Sequence, residues 1–324
     1  MSNQVDALRF DGKAILITGA GRGLGREYAL LLAARGARVV VSDNGASLDG
    51  SGEAVAPADS VVEEIRAAGG EAVSYLADLS NEQGARGAVD TTIAAFGRID
   101  GIIHNAGISP APQDPDQVSD DAFDLMLKVN AYAAFWIVSA AWPHMRSQGG
   151  GRIVMTISSA IYGASGSLAY CTAKSALLGF GRSLSIDGAR DNIHTNMLAP
   201  TAATRMTERF PPSKFVTWFN ETLLVEKVAP LVAYLCHDSC TLNGETLAVA
   251  GGRIARIRTL ETLGDIGANE TIEEVRDRLP TVMDETEHFF PIDPPTRSMK
   301  IAELLGYDVG DNDDPYGLNS ARQN

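Results

Sequence analysis

The chain has 324 residues, 45% of them hydrophobic and 21% charged, with a formal charge of −14 at pH 7. This balance suits one large globular domain, or one domain with an appendage, and the chain is long enough to bury a core without disulfide staples. The acidic excess argues against a nucleic-acid backbone as the main partner.

The opening residues, Met-Ser-Asn-Gln-Val-Asp, lack the basic-then-apolar pattern of a secretory signal. No stretch reads as the roughly 18 consecutive apolar residues that cross a bilayer, so no membrane partner is expected. Cys171, Cys236 and Cys240 are too few and too clustered for a disulfide framework. Cys236, His237 and Cys240 have no second cluster to complete a structural zinc site, so no metal is expected. The starting expectation is a reduced, cytoplasmic protein.

In chain order, Lys13-Ala-Ile-Leu-Ile-Thr18 is a continuous apolar run bounded by turn signals, which predicts a buried parallel strand. The glycine-rich segment Gly19-Ala-Gly-Arg-Gly-Leu-Gly25 follows, then a helical pattern through Leu30 and Ala34. A second strand over 37–42 ends at Asp43, and a long loop over 44–57 precedes a helix over 59–68. Strand 71–76, helix 82–96 and strand 101–105 come next. Helix 119–145, strand 152–157, helix 168–189 and strand 194–198 continue the alternation. A helix over 225–236 and a strand over 245–250 close the domain near Gly252. Strands and helices alternating at this spacing predict an α/β fold, a doubly wound parallel sheet of Rossmann type.

Residues 1–252 are expected to form that domain, and 253–324 an acidic C-terminal extension. The extension holds eight basic and fifteen acidic residues, one helical pattern over 271–279, and a short apolar run over 301–305. Its end, Asp311-Asn-Asp-Asp314, has the composition of a disordered segment.

Three features carry chemistry. A glycine-rich turn between a strand and a helix lets backbone approach a pyrophosphate, whose charge then rests at the helix N-terminus. Asp43, at the end of the second strand, suits the ribose hydroxyls of NAD and repels the 2′-phosphate of NADP. Arg22 pulls the other way, since a guanidinium in the turn can partner that phosphate. Tyr170 and Lys174 are four apart and share a helix face. An ammonium beside a phenol favours phenolate, which fits Tyr170 to exchange a proton with an alcohol or ketone near neutral pH.

Thr18-Gly-x3-Gly-x-Gly, Asn105-Ala-Gly107 and Tyr170-x3-Lys174 together resemble the short-chain dehydrogenase/reductase family over residues 10–252. Residues 19–44, Ile161-Tyr-Gly and 228–237 resemble one branch of it. That branch is the (3R)-hydroxyacyl-CoA dehydrogenase, or 17β-hydroxysteroid dehydrogenase, part of the peroxisomal multifunctional enzyme.

The resemblance implies a set of roles. Tyr170 is the general acid/base, Lys174 tunes it and contacts the nicotinamide ribose, Ser158 polarises the substrate oxygen, and Asn130 helps hold a water linking Lys174 to solvent. Gly19, Gly21, Arg22, Gly23, Leu24 and Gly25 form the pyrophosphate turn. Asn105, Ala106 and Gly107 shape the cofactor floor, Asp78 and Leu79 face the adenine, and Pro200 and Thr204 lie near the nicotinamide amide. It also implies pairing of the faces of helices 119–145 and 168–189 in a homodimer or homotetramer.

Three positions depart from the family pattern. The usual serine lies thirteen residues before the tyrosine, where this chain has Ile157; Ser158 is aligned to it, with Ser159 the alternative. His104 replaces the first Asn of Asn-Asn-Ala-Gly and reads as structural. Thr201 replaces the Gly after Pro200.

The expected function is NAD-dependent interconversion of a secondary alcohol and a ketone. A bulky apolar hydroxysteroid-like substrate stands ahead of a 3-hydroxyacyl-CoA. Met206, Phe210, Phe215, Trp218 and Phe219 are candidates for an apolar substrate wall. Arg253, Arg256 and Arg258 are candidates for contacts to CoA phosphates. A non-catalytic dinucleotide sensor or scaffold is the rival class, although a scaffold has no physical need for Asn130, Ser158, Tyr170 and Lys174 together.

Overall fold

The computed structural model describes residues 7–50, 57–205, 207, 211–267 and 271–307. By internal contacts the chain divides between Arg256 and Ile257. The sheet is built on strands β1 (Ala14–Thr18), β2 (Arg38–Ser42), β3 (Glu71–Tyr75), β4 (Gly101–His104), β5 (Gly151–Thr156), β6 (Ile193–Thr201), β7 (Thr246–Ala250) and β8 (Arg253–Ile257), all within the first unit except the last residue of β8. They form one sheet in the order β3-β2-β1-β4-β5-β6-β7-β8. Pairing is parallel from β3 through to β7. The order reverses between β1 and β4, and in such sheets ligands bind beyond the strand C-termini at that reversal.

The helices are α1 (Gly23–Ala34), α2 (Pro57–Ala67), α3 (Glu82–Phe96), α4 (Asp120–Leu127), α5 (Ala133–Ser147), α6 (Leu168–Gly188), α7 (Lys214–Thr222) and α8 (Ala229–Cys236). Strand side chains alternate between faces. Ile15, Ile17, Val39, Val41 and Ile103 share a core with α1, α2 and α8. Leu16, Val40 and Ile102, equally buried, turn to the opposite face. Burial on both faces explains why these strands read as unbroken apolar runs.

Helix ends follow local chemistry. Asn81 caps α3 by accepting from the Gly84 amide, and Gly97 ends it in a left-handed conformation at φ 71°.

The predicted helix over 119–145 is helical throughout, but a π turn over Lys128–Tyr132 separates α4 from α5. This run, 120–147, is apolar and long enough to cross a membrane by length and composition, because scattered polar residues do not offset its mean hydropathy. In the fold, Ala133, Ala134, Ile137, Val138, Ala141 and Met145 make its buried face. The predicted helix over 225–236 splits into a 3-10 turn, Val225–Lys227, and α8. Pro230 lacks the N–H that an uninterrupted helix needs and sits in the first turn of α8.

The sheet does not stop near Gly252. Gly251 and Gly252, both at positive φ, turn the chain into β8, whose half-exposed residues gave no strong hydropathy signal. The second unit holds a two-stranded ribbon, β9 (Glu261–Thr262) with β10 (His288–Phe289), paired antiparallel. It also holds α9 (Ile272–Val282) and α10 (Pro294–Leu304), each opened by a reciprocal capping box. The acidic segment 311–314 lies outside the described residues.

Candidate active site

The site begins where β1 ends. Gly19 has φ 63°, and a Cβ there would lie 2.8 Å from the Ala106 backbone. On Gly25 a Cβ would lie 2.2 Å from the Gly19 carbonyl, and on Gly21 it would meet Pro57 at 2.8 Å and the Asp43 carboxyl at 3.0 Å. The turn therefore needs these glycines for close backbone approach. It delivers the chain into α1, where Arg22, at the N-cap position, makes no side-chain cap and leaves the first amides for an anion.

Asp43 lies at the end of β2. Its Oδ2 accepts from the Gly21 amide at 2.9 Å and its Oδ1 from the Gly45 amide at 2.8 Å. These bonds fix the carboxylate at the rim of the glycine turn.

The floor is made by the residues after β4. Thr18 Oγ1 accepts from the amides of Asn105 and Ala106 at 3.1 and 3.0 Å. Asn105 Nδ2 donates to the carbonyls of Thr18 and Gly19 at 3.2 and 3.0 Å. Asn105 thus braces the turn from below.

On α6, Lys174 is 3% exposed and donates from Nζ to the Thr156 carbonyl at 2.9 Å. Burial pushes its pKa down from 10.5 to about 8. Nζ lies 5.9 Å from the centre of the Tyr170 ring. Asn130 sits in the π turn, fully buried, and its Nδ2 donates to the carbonyls of Ile108 and Met126, each at 3.2 Å. Its Oδ1 and the Thr156 hydroxyl are buried without hydrogen-bond partners. Ser158 opens a 3-10 turn, and its Oγ accepts from the Ala160 amide at 3.1 Å.

A cleft of about 1050 Å³ joins these parts. Gly19, Arg22, Gly23, Leu24, Asp43, Asp78, Leu79, Asn105, Ala106, Gly107, Ser158, Tyr170, Lys174, Pro200 and Thr204 all line it, and so does Ser159. Gly21, Gly25 and Asn130 stand behind the lining. Of the residues expected to make an apolar wall, Phe219 lines the cleft, while Phe215 and Trp218 are 60% and 49% exposed. Met206 and Phe210 lie outside the described residues.

The arginines expected at CoA phosphates have other settings. Arg256 pairs with Glu245, and Arg258 stacks on Phe290 with 4.1 Å to the ring centre. Arg253 does not line the cleft.

The sequence reading missed the strap over 44–50. Ala46, Ser47, Leu48 and Gly50 line the cleft, and the Leu48 carbonyl accepts from the Ser109 amide at 2.8 Å. Its signal was the Asn44-Gly45 turn in an over-long connection. Arg205 was also missed; it follows β6 and lines the same cleft.

A family model described as short chain dehydrogenase matches residues 13–214. The chain belongs to the short-chain dehydrogenase/reductase family. As a member it is an oxidoreductase working with a nicotinamide dinucleotide, and the glycine cradle and Asp43 fit such a cofactor.

The mouse peroxisomal multifunctional enzyme type 2 is 43% identical over 282 residues, covering 86% of this chain and 37% of that protein. The solved full-length Drosophila melanogaster enzyme of the same name has a TM-score of 0.76 at 33% identity, covering 92% of this chain and 50% of that one. This short-chain dehydrogenase therefore spans half or less of these two multifunctional enzymes. A 7α-hydroxysteroid dehydrogenase solved with NADH and 7-oxo glycochenodeoxycholic acid has a TM-score of 0.63 at 29% identity, covering 75% and 95% of the two chains.

Proposed function

We propose that this protein is an NAD-dependent dehydrogenase interconverting a secondary alcohol and a ketone. The observation that carries the reading is the shared cleft: Tyr170, Lys174 and Ser158 line it together with the glycine turn and Asp43. A nicotinamide dinucleotide held by the glycine turn and Asp43 would supply hydride exchange at the carbinol carbon. The chain's own groups handle the proton and the oxygen. The Tyr170 phenolate takes up the alcohol proton and its hydroxyl returns it in the reverse direction, and Lys174 favours the phenolate electrostatically. Ser158 and Tyr170 donate to the substrate oxygen where negative charge develops. Asn130 supports a proton route from Lys174.

Asp43 favours NAD over NADP, because a fixed carboxylate beside the turn repels a 2′-phosphate. Arg22 also lines the cleft, so the preference is a balance between the two.

For the substrate, a (3R)-3-hydroxyacyl-CoA stands first. It is supported by the likeness to the multifunctional enzymes, which runs over most of this chain in both sequence and structure. The aromatic wall that favoured a steroid is reduced to Phe219 among the described residues. A hydroxysteroid is the second reading, favoured by the likeness to the 7α-hydroxysteroid dehydrogenase.

NADH formation with the two substrate classes side by side separates them. Turnover of the acyl-CoA alone supports the first reading, and turnover of the steroid alone reverses the order. A protein that binds NADH and oxidises neither would fit the sensor class instead.

A further inference from the structure

His104 is fully buried, and both of its ring nitrogens are engaged. Nε2 lies 3.2 Å from the Asn130 carbonyl, which can only accept, so Nε2 carries the proton. Nδ1 is then an acceptor, and the Thr18 hydroxyl, 3.4 Å away, is its donor. Thr18 can donate there because its oxygen already accepts from the Asn105 and Ala106 amides. One directed chain of hydrogen bonds therefore runs from the cofactor floor, through Thr18 and His104, to the Asn130 carbonyl.

The far end of that chain is a place where position matters. Asn130 sits in a π turn, and such turns shift carbonyls out of the helical ladder. Its buried Oδ1 faces Gly107 beside Lys174: a Cβ on Gly107 would lie 2.4 Å from Oδ1 and 3.2 Å from Nζ. No side chain larger than hydrogen fits between them.

We infer that His104 is a positioning residue for proton transfer, fastening the Asn130 turn to the cofactor floor and so setting Asn130 against Lys174. The inference rests on the proposed roles of Tyr170 and Lys174. Burial first, and then the Lys174 charge, push the His104 pKa down to about 4. The bridge therefore keeps one neutral tautomer across the working pH range.

The test uses two variants of the full chain. His104→Gln keeps a donor and an acceptor, whereas His104→Leu keeps only bulk. The assay substrate is whichever of a (3R)-3-hydroxyacyl-CoA and a 7α-hydroxysteroid wild type turns over. His104→Leu is expected to lose about tenfold or more in kcat, with KM for NAD changed less than about twofold. The acid limb of its kcat/KM profile is expected to move up by about half a pH unit or more, and His104→Gln to recover most of both losses.

Imidazole ¹⁵N spectra of the wild-type protein should show an Nε2–H tautomer, still neutral at about pH 6. An Nδ1–H tautomer, or titration near the ordinary histidine value, would overturn the inference. A His104→Leu enzyme with wild-type kcat and pH profile would do the same. So would two variants that only melt earlier, with unchanged profiles. Tyr170→Phe serves as a separate control: if it turns over normally, the underlying site reading fails, whatever the His104 spectra show.

Discussion

Lys174 faces two opposed demands. The proposed mechanism needs its ammonium beside Tyr170, yet burial disfavours that charge and brings its pKa down from 10.5 to about 8. Between those values the unfolded chain binds the proton more tightly than the folded one, so stability rises with pH. Below about pH 8 the full cost is present, on the order of 3 kcal/mol before compensation. Lys174→Met should therefore unfold at higher urea than wild type at pH 7, with the gap narrowing towards pH 10, while losing turnover. A variant less stable than wild type at pH 7 would contradict this.

His104 titrates in another window. Its pKa falls from 6.5 to about 4 on folding, so stability is lost as pH drops through that range. In His104→Gln, urea midpoints should fall less between pH 6.5 and pH 4 than in wild type. Equal losses would show that the imidazole is not held neutral. At the rim, Asp43→Ser should narrow the NADH-over-NADPH preference by about tenfold in Kd. Wild type binding NADPH better than NADH would mean that Arg22 outweighs Asp43.

At the scale of elements, the glycine turn and the π turn hold the site. Gly19→Ala adds a methyl 2.8 Å from the Ala106 backbone at φ 63°. It should cost about 1–3 kcal/mol and weaken NADH binding, read by fluorescence titration alongside a melt. Normal binding and melting would mean that the floor gives way more easily than its bracing by Asn105 suggests.

Most of the sheet was legible because its strands are buried on both faces and bounded by turns, as Ile15–Ile17 and Val39–Val41 show. The short glycine motif, Asp43 and the Tyr170–Lys174 pair were legible because each is a local spacing. What stayed hidden depends on contacts distant in sequence. The strap reaches Ser109 across about sixty residues, and the His104 bridge joins Thr18 to Asn130. The π turn leaves no mark in a helical hydropathy pattern. β8 is a short strand with no buried residue, and α7 is a nine-residue helix that buries only Phe219.

At the scale of the whole molecule, two helices present exposed apolar side chains. Tyr132 and Phe135, near the start of α5, and Leu168 and Ile186 on α6 are 45–50% exposed. We propose that these helices pair between copies, giving a homodimer or homotetramer. Multi-angle light scattering should return a multiple of 34.3 kDa, and a monomer at micromolar concentration would sink the proposal.

The central claim is that Tyr170 works as acid and base in a cofactor-loaded cleft. Its most direct test is NADH formation from NAD by wild type and Tyr170→Phe, with NADH affinity measured on both. The account predicts equal affinity and a loss of about 10²-fold or more in kcat for the phenylalanine variant. Equal turnover by the two proteins would contradict it.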